Sequence, residues 1–264
     1  MTEFTLFLLT GAVTGIISGL LGVGGGMIIV PILLALLPQN HFPPGQLMHV
    51  ALGTSLATII FTSLASARAH HRFNRVNWTI VRHITPGILL GTLAGTGLAA
   101  ALQTDSLKVV FVIFMFYVGT QMLLDFCPPP SRELPGKTTL WIAGSLIGLI
   151  SSLVGIGGGS MTVPFLVCCR CHMHDAVGTS SAVGMPIAVA GTAGYIVTGL
   201  HAGELPNYSL GFVYLPAVAG ITAASMLTAP WGARLAQTLP VPNLKKGFAL
   251  LLYGLGLKML WGIL

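Results

Sequence analysis

The chain has 264 residues, 54% of them hydrophobic and only 7% charged, with a formal net charge of +6 and a mean hydropathy of +0.87. A soluble domain needs a polar surface that so few charged residues cannot supply, so the composition is that of an integral membrane protein. The excess of Lys and Arg sits in short loops, where it orients spans against the bilayer, and no nucleic-acid partner is read from it.

Eight apolar segments follow one another at 4–37, 45–67, 84–102, 106–124, 138–168, 176–199, 209–230 and 244–263. They are longer than the alternating strands of an outer-membrane barrel and predict an all-α, polytopic membrane fold. No basic leader or small-residue cleavage site precedes the first run, so it is expected to belong to the mature fold and not to a removable signal.

The first segment contains GLLGVGGGMIIVP at 19–31, and the fifth repeats it as SLVGIGGGSMTVP at 152–164. As unbroken helices these two segments would measure roughly 46 to 51 Å, against a hydrocarbon core of about 30 Å. Each carries a triple glycine near its middle, with Pro31 or Pro164 five residues after the last glycine. The helix is expected to break at the glycines and restart near the proline. The second segment opens with HVALGTS at 49–55, answered by HDAVGTS at 174–180 in the sixth, and LKVVFVIFMFYVG at 107–119 is echoed by LKKGFALLLYGLG at 244–256. Two homologous membrane repeats, 1–124 and 138–264, are therefore expected. Between them lies a proline-rich linker, 125–137, whose PPP cannot continue a helix.

Loop charges give the orientation. Arg68, Arg72, Arg75 and Arg82 lie between segments two and three, whereas the loop at 38–44 has neither Lys nor Arg. In the second half the pattern reverses: 200–208 is free of Lys and Arg, while Arg170 precedes it and Arg234, Lys245 and Lys246 follow it. The halves read as inverted, which requires an odd number of crossings in each and makes the glycine-broken segments re-entrant helical hairpins. Both termini then lie outside and the linker inside. The rival, eight complete spans, puts Arg170, Arg234, Lys245 and Lys246 on the wrong side.

Broken backbone at membrane depth is tolerated only where protein covers it or a wet cavity adjoins it. Gly24, Gly25 and Gly26, and Gly157, Gly158 and Gly159, let backbone N–H groups approach a ligand, and the restarting half-helix aims its positive dipole end at the same point. An anion is the natural guest. Neutral hydroxyls at matched positions complete the expected substrate site: Ser18 with Ser151, Thr54 with Thr179, and Ser55 with Ser180. Such small residues also serve close helix packing. His49 and His174 are the matched histidines, one helical turn before Gly53 and Gly178, and are candidates for ion coupling. His70 and His71 read as part of a solvated basic loop.

Four cysteines are present: Cys127, and the cluster Cys168, Cys169 and Cys171 inside CCRCHMHD. With His172 the cluster offers soft-metal donors but lacks zinc-site spacing, and lipidation of juxtamembrane thiols competes with it. No metal or cofactor is expected. A P-loop, a GxSxG elbow, an HExxH motif and a buried acidic pair are all missing, so neither catalysis nor direct coupling to ATP is expected.

At SGLLGVGGGMIIVP, SSLVGIGGGSMTVP and the two AxGTS motifs at 51–55 and 176–180, the chain resembles the sulfite exporter TauE/SafE family of membrane permeases. The likeness runs over nearly the whole length. It implies carriage of a sulfur-containing anion (sulfite, sulfoacetate or a related organosulfonate) across the cytoplasmic membrane, without ATP and coupled to an ion gradient. CCRCHMH has no place in that pattern. An anion channel, or a membrane thiol or metal-handling protein built on CCRCHMH, are the alternatives.

Overall fold

A computed structural model describes residues 2–22, 24–37, 42–124, 136–200, 202, 205–238 and 241–261. Most of the proline-rich linker, with Cys127, lies outside them, as do His41 and His201. The described chain is helical: α1 (Thr2–Leu21), α2 (Gly26–Leu36), α3 (Leu47–Arg72), α4 (Trp78–Ala101), α5 (Thr104–Leu124), α6 (Lys137–Val154), α7 (Gly159–Cys168), α8 (Met173–Gly199), α9 (Leu215–Thr238) and α10 (Val241–Trp261). Six helices, at 4–21, 44–72, 78–101, 104–124, 137–154 and 173–199, are long and apolar enough to cross a bilayer. Leu90, Ile113, Ile142, Leu227 and Leu250 all face outward. An apolar exterior of this kind suits hydrocarbon and not water.

Two sequence readings need correction. Segment seven is not helical from 209: Ser209–Leu210 (β1) and Val213–Tyr214 (β2) pair antiparallel through a two-residue turn containing Gly211 at φ 54, and α9 starts only at Leu215. The left-handed glycine closes a hairpin where an apolar run alone reads as helix. Nor do the half-helices restart at their prolines. Gly25 and Gly158 are the N-caps, at φ 79 and 73, and Pro31 and Pro164 lie inside α2 and α7. Glycine takes the left-handed N-cap conformation without the Cβ penalty other residues meet, so the restart falls at the glycine run.

Small residues bring the helix backbones close together. Gly11 packs on Ile221, Gly15 on Ser225 and Gly19 on Ala229, so α1 runs parallel to α9. Gly87 meets Trp141, Gly91 meets Ser145 and Gly148 meets Ile88, so α4 runs parallel to α6. At the centre α3 and α8 are antiparallel, with Ser66 Oγ donating to Ser181 Oγ (3.1 Å) at one level and Gly191 against Leu56 at another. On the flank Gly119 rests on Tyr253 and Gly256 on Phe116, so α5 and α10 are also antiparallel.

These directions sort the connections between two ends of the bundle. The start of α1, the end of α2 and the start of α3 share one end, where Leu6 and Leu9 neighbour Leu36 and Leu47, and Thr104 donates to the Gly45 carbonyl. At the opposite end the α3–α4 connection meets the α7–α8 connection, with Arg75 Nη1 on Asp175 Oδ1 at 3.2 Å. That second end is basic. Arg68, Arg72, Arg75, Arg82, Lys137, Arg170, Arg234 and Lys246 fall there, and of the basic side chains described only Lys108 and Lys258 belong to the first.

Candidate functional site

The helix breaks between α1 and α2 and between α6 and α7 meet halfway along α3 and α8. A Cβ on Gly24 would stand 3.2 Å from both Gly157 Cα and Ile59 Cγ2, and one on Gly26 would strike the Gly155 carbonyl oxygen. Gly184 lies over Gly157, and Gly158 faces Ile187. The two tips thus touch each other, buried, at the middle of the bundle.

Their first-turn amides are uncommitted. Gly22 N–H donates to the Ser18 carbonyl (2.8 Å) and Ile156 N–H to that of Ser151 (2.9 Å), which ends α1 and α6. Beyond these, the amides of Gly24, Gly25, Gly26 and Met27, and of Gly157, Gly158, Gly159 and Ser160, have no acceptor among the described residues. A helix N-terminus always leaves such donors, and inside a bilayer no bulk water satisfies them. Two sets facing a common centre make a donor-rich point of positive potential, suited to an anion.

The matched hydroxyls are placed crosswise between the halves. Ser55 Oγ donates to the Gly155 carbonyl (2.8 Å), and Ser180 Oγ reaches the Gly22 carbonyl at 3.4 Å while donating to Val177 at 2.9 Å. Each serine holds the opposite tip, so its proton is spent on backbone. Thr54 and Thr179 stand one residue further back. Thr54 Oγ1 accepts the Tyr214 N–H and Thr179 Oγ1 the Asn77 N–H, both at 3.0 Å. Ser18 and Ser151 are buried below the tips, Ser151 Oγ 3.4 Å from where a Cβ on Gly158 would stand.

The structure does not bring His49 and His174 together, because α3 and α8 are antiparallel and the two histidines start them at opposite ends. His49 is buried, its Nε2 3.0 Å from the Ala99 carbonyl and its ring tilted on Phe212. His70 was misread from sequence. It belongs to the last turn of α3, is 1% exposed, and places Nε2 3.0 Å from the Gly19 carbonyl. The helix runs to Arg72, past the end read from the apolar pattern, and turns His70 inward while Arg68 and Arg72 stay out.

Two further residues escaped the sequence reading. Ser160 and Thr162, in the first turns of α7, are buried and their hydroxyls have no partner among the described residues. Met27 and Ile29 hold the corresponding places in α2. Laying one glycine motif over the other exposes this difference, so the second tip is the polar one.

Cys168, Cys169 and Cys171 end α7 and enter the connection to α8, with His172 exposed beside them. No three His, Cys, Asp or Glu side chains converge to hold a metal ion among the described residues. Burial, and then the Asp175 carboxylate, push the Cys171 thiol above its ordinary pKa. Near neutral pH it is a thiol and a poor nucleophile.

Residues 7–259 match the family model described as Sulfite exporter TauE/SafE. A protein of Haemophilus influenzae named a probable membrane transporter protein is 40% identical over 260 residues, covering 98% of either chain. One of the same description from Methanocaldococcus jannaschii is 26% identical over 97% of this chain and 94% of its own. The Bacillus subtilis probable membrane transporter protein YunE is 26% identical over 75% and 80%. No solved structure matches.

Proposed function

Because the chain belongs to the sulfite exporter TauE/SafE family of membrane transporters, we propose that it carries a sulfur-containing oxyanion (sulfite, sulfoacetate or a related organosulfonate) across the cytoplasmic membrane by ion-coupled alternating access. The observation that carries this reading is the meeting, at mid-bundle, of two glycine-capped helix starts whose amides lack acceptors among the described residues. Gly24 to Gly26 and Gly157 to Gly159 supply backbone donors. Ser55 and Ser180 hold the tips, Ser18, Ser151, Thr54 and Thr179 frame them, and Ser160 adds a hydroxyl the sequence reading lacked.

The reading takes the halves as inverted repeats with re-entrant hairpins at 4–37 and 138–168. Paired contacts support it: Gly53 packs on the carbonyl of Phe212 as Gly178 does on that of Arg75, and Gly119 on Tyr253 as Gly256 does on Phe116. So does the return of α2 to the end at which α1 began. The charge rule then turns the basic end to the cytoplasm. Neutral donors bind an anion weakly enough to release it, and two helix ends of up to about 2 kcal/mol each offset part of its desolvation.

Purified protein in liposomes should take up labelled sulfite or sulfoacetate saturably, faster under an imposed proton gradient. Gly25→Leu and Gly158→Leu should abolish flux while inserting normally. Undiminished transport by both variants would remove the tips from the mechanism, and unsaturable flux indifferent to the gradient would make the protein a channel.

A further inference from the structure

The basic end holds a polar pocket of about 480 Å3 between the α3–α4 connection and the start of α8, apart from the glycine tips. Arg75 and Arg170 line it, with Trp78 on the wall and Thr179 among its residues. Its opening is positive, since Asp175 is the one carboxylate among the lining residues.

Arg75 is incompletely satisfied. Its Nη1 meets Asp175 Oδ1 at 3.2 Å, with the two side chains 41% and 37% exposed, while its Nε is buried and has no acceptor among the described residues. A guanidinium offers five donors in a planar fork that fits an oxyanion two bonds at a time, and an ion pair this exposed is held weakly. Thr179 Oγ1 accepts the Asn77 N–H on one lone pair, and its hydroxyl proton can turn to an acceptor in the pocket. The next residue, Ser180, reaches the Gly22 carbonyl, so the pocket adjoins a tip through one step of chain.

The other end of the bundle supplies the contrast. There the carbonyl of Phe212 covers Gly53 as that of Arg75 covers Gly178, and the Tyr214 N–H meets Thr54 as that of Asn77 meets Thr179. The backbone plan is the same, but a buried phenyl against His49 replaces the guanidinium. Where the basic end has a charged, open pocket, the matching place at the other end holds an apolar ring.

We propose that the pocket is a receiving site for an inorganic oxyanion of the sulfite or sulfate type, which takes the Arg75 fork by displacing Asp175 before moving to the tips. The onward step rests on the transport reading above; binding in the pocket does not. Trp78 reports it directly. With Trp141, Trp231 and Trp261 changed to Phe, Trp78 is the sole indole, and titration of the lipid-nanodisc protein with sulfite or sulfate, at ionic strength held by chloride, should change its fluorescence saturably.

Arg75→Gln should raise the Kd at least tenfold, whereas Asp175→Asn, which removes the competitor, should lower it about threefold. Gly158→Leu should leave the Kd within twofold although flux is lost. Sulfate should also slow alkylation of Cys171 in protein with Arg75 intact, a readout that needs no change in the fork. The proposal is overturned if Trp78 fails to respond in protein that still transports, or if Asp175→Asn weakens binding as Arg75→Gln does, which makes the pair a brace. A saturable response in protein that keeps both glycine tips yet moves no sulfur anion would uphold the pocket and overturn the transport reading.

Discussion

Gly158→Ala isolates the geometry on which the tip depends. Gly158 caps α7 at φ 73, and an added Cβ would run into Ile187 Cδ1 on α8. A left-handed alanine costs about 1–2 kcal/mol, and turning the free end of Ile187 off its rotamer costs about 0.5–1.5 more, so a loss of roughly 2–3 kcal/mol is expected. Gly25 provides the control: its φ is 79, yet the nearest atom to its Cβ is Thr14 Cβ at 3.1 Å, so Gly25→Ala should lose mainly the backbone share. Ile187→Val deletes the obstructing Cδ1 at a cost of its own near 1 kcal/mol, and combined with Gly158→Ala it should recover about 0.5–1 kcal/mol relative to additivity. Equilibrium unfolding of the unsubstituted protein and the four variants in mixed micelles measures this, with flux in liposomes alongside. Strict additivity would mean that the contact with Ile187 is not what excludes a side chain, and the close fit of tip against α8 would have to be abandoned.

Three other outcomes test separate residues. Ser160→Ala removes a buried hydroxyl that has no partner among the described residues, so unfolding stability should hold or rise slightly, while flux falls about tenfold or more if the hydroxyl bonds a charged substrate. Thr179→Val strands the Asn77 N–H and should cost about 1–3 kcal/mol in an unfolding titration, with Thr179→Ser restoring most of it. On a background lacking the other cysteines, Cys171 should react with a maleimide at pH 8 more slowly than an open thiol and quicken as the pH rises, because its raised pKa prolongs the protonated form; Asp175→Asn removes only the second cause and should speed the reaction part of the way.

The helical membrane class and the family were legible in the residues, the first from apolar length and the second from the doubled GGG and AxGTS motifs that carry the resemblance. Contacts across the bundle were not. Gly11, Gly15 and Gly19 announce that some backbone will approach α1, but a glycine stripe is equally open to any partner, and only three dimensions reveal α9. Ser55 and Ser180 were readable as tip residues but not as props for the opposite tip, because a hydroxyl's target is set by the tertiary arrangement. His70 was lost for a simpler reason: neighbouring arginines make a buried face look like a wet loop when one more helical turn is not foreseen.

The pairing of α1 with α9 and of α4 with α6 joins an early helix of either half to a late helix of the other. Either half, severed at the linker, loses the principal packing partner of its first and fourth helices, so two separately expressed fragments would have to find each other before those helices could pack. The same exchange decides what can move. If transport proceeds by the alternating access proposed above, residues 1–124 cannot swing away from 138–264 as two blocks without breaking these pairings, so any moving bodies would have to be mixed, each drawing one helix from either side of the linker.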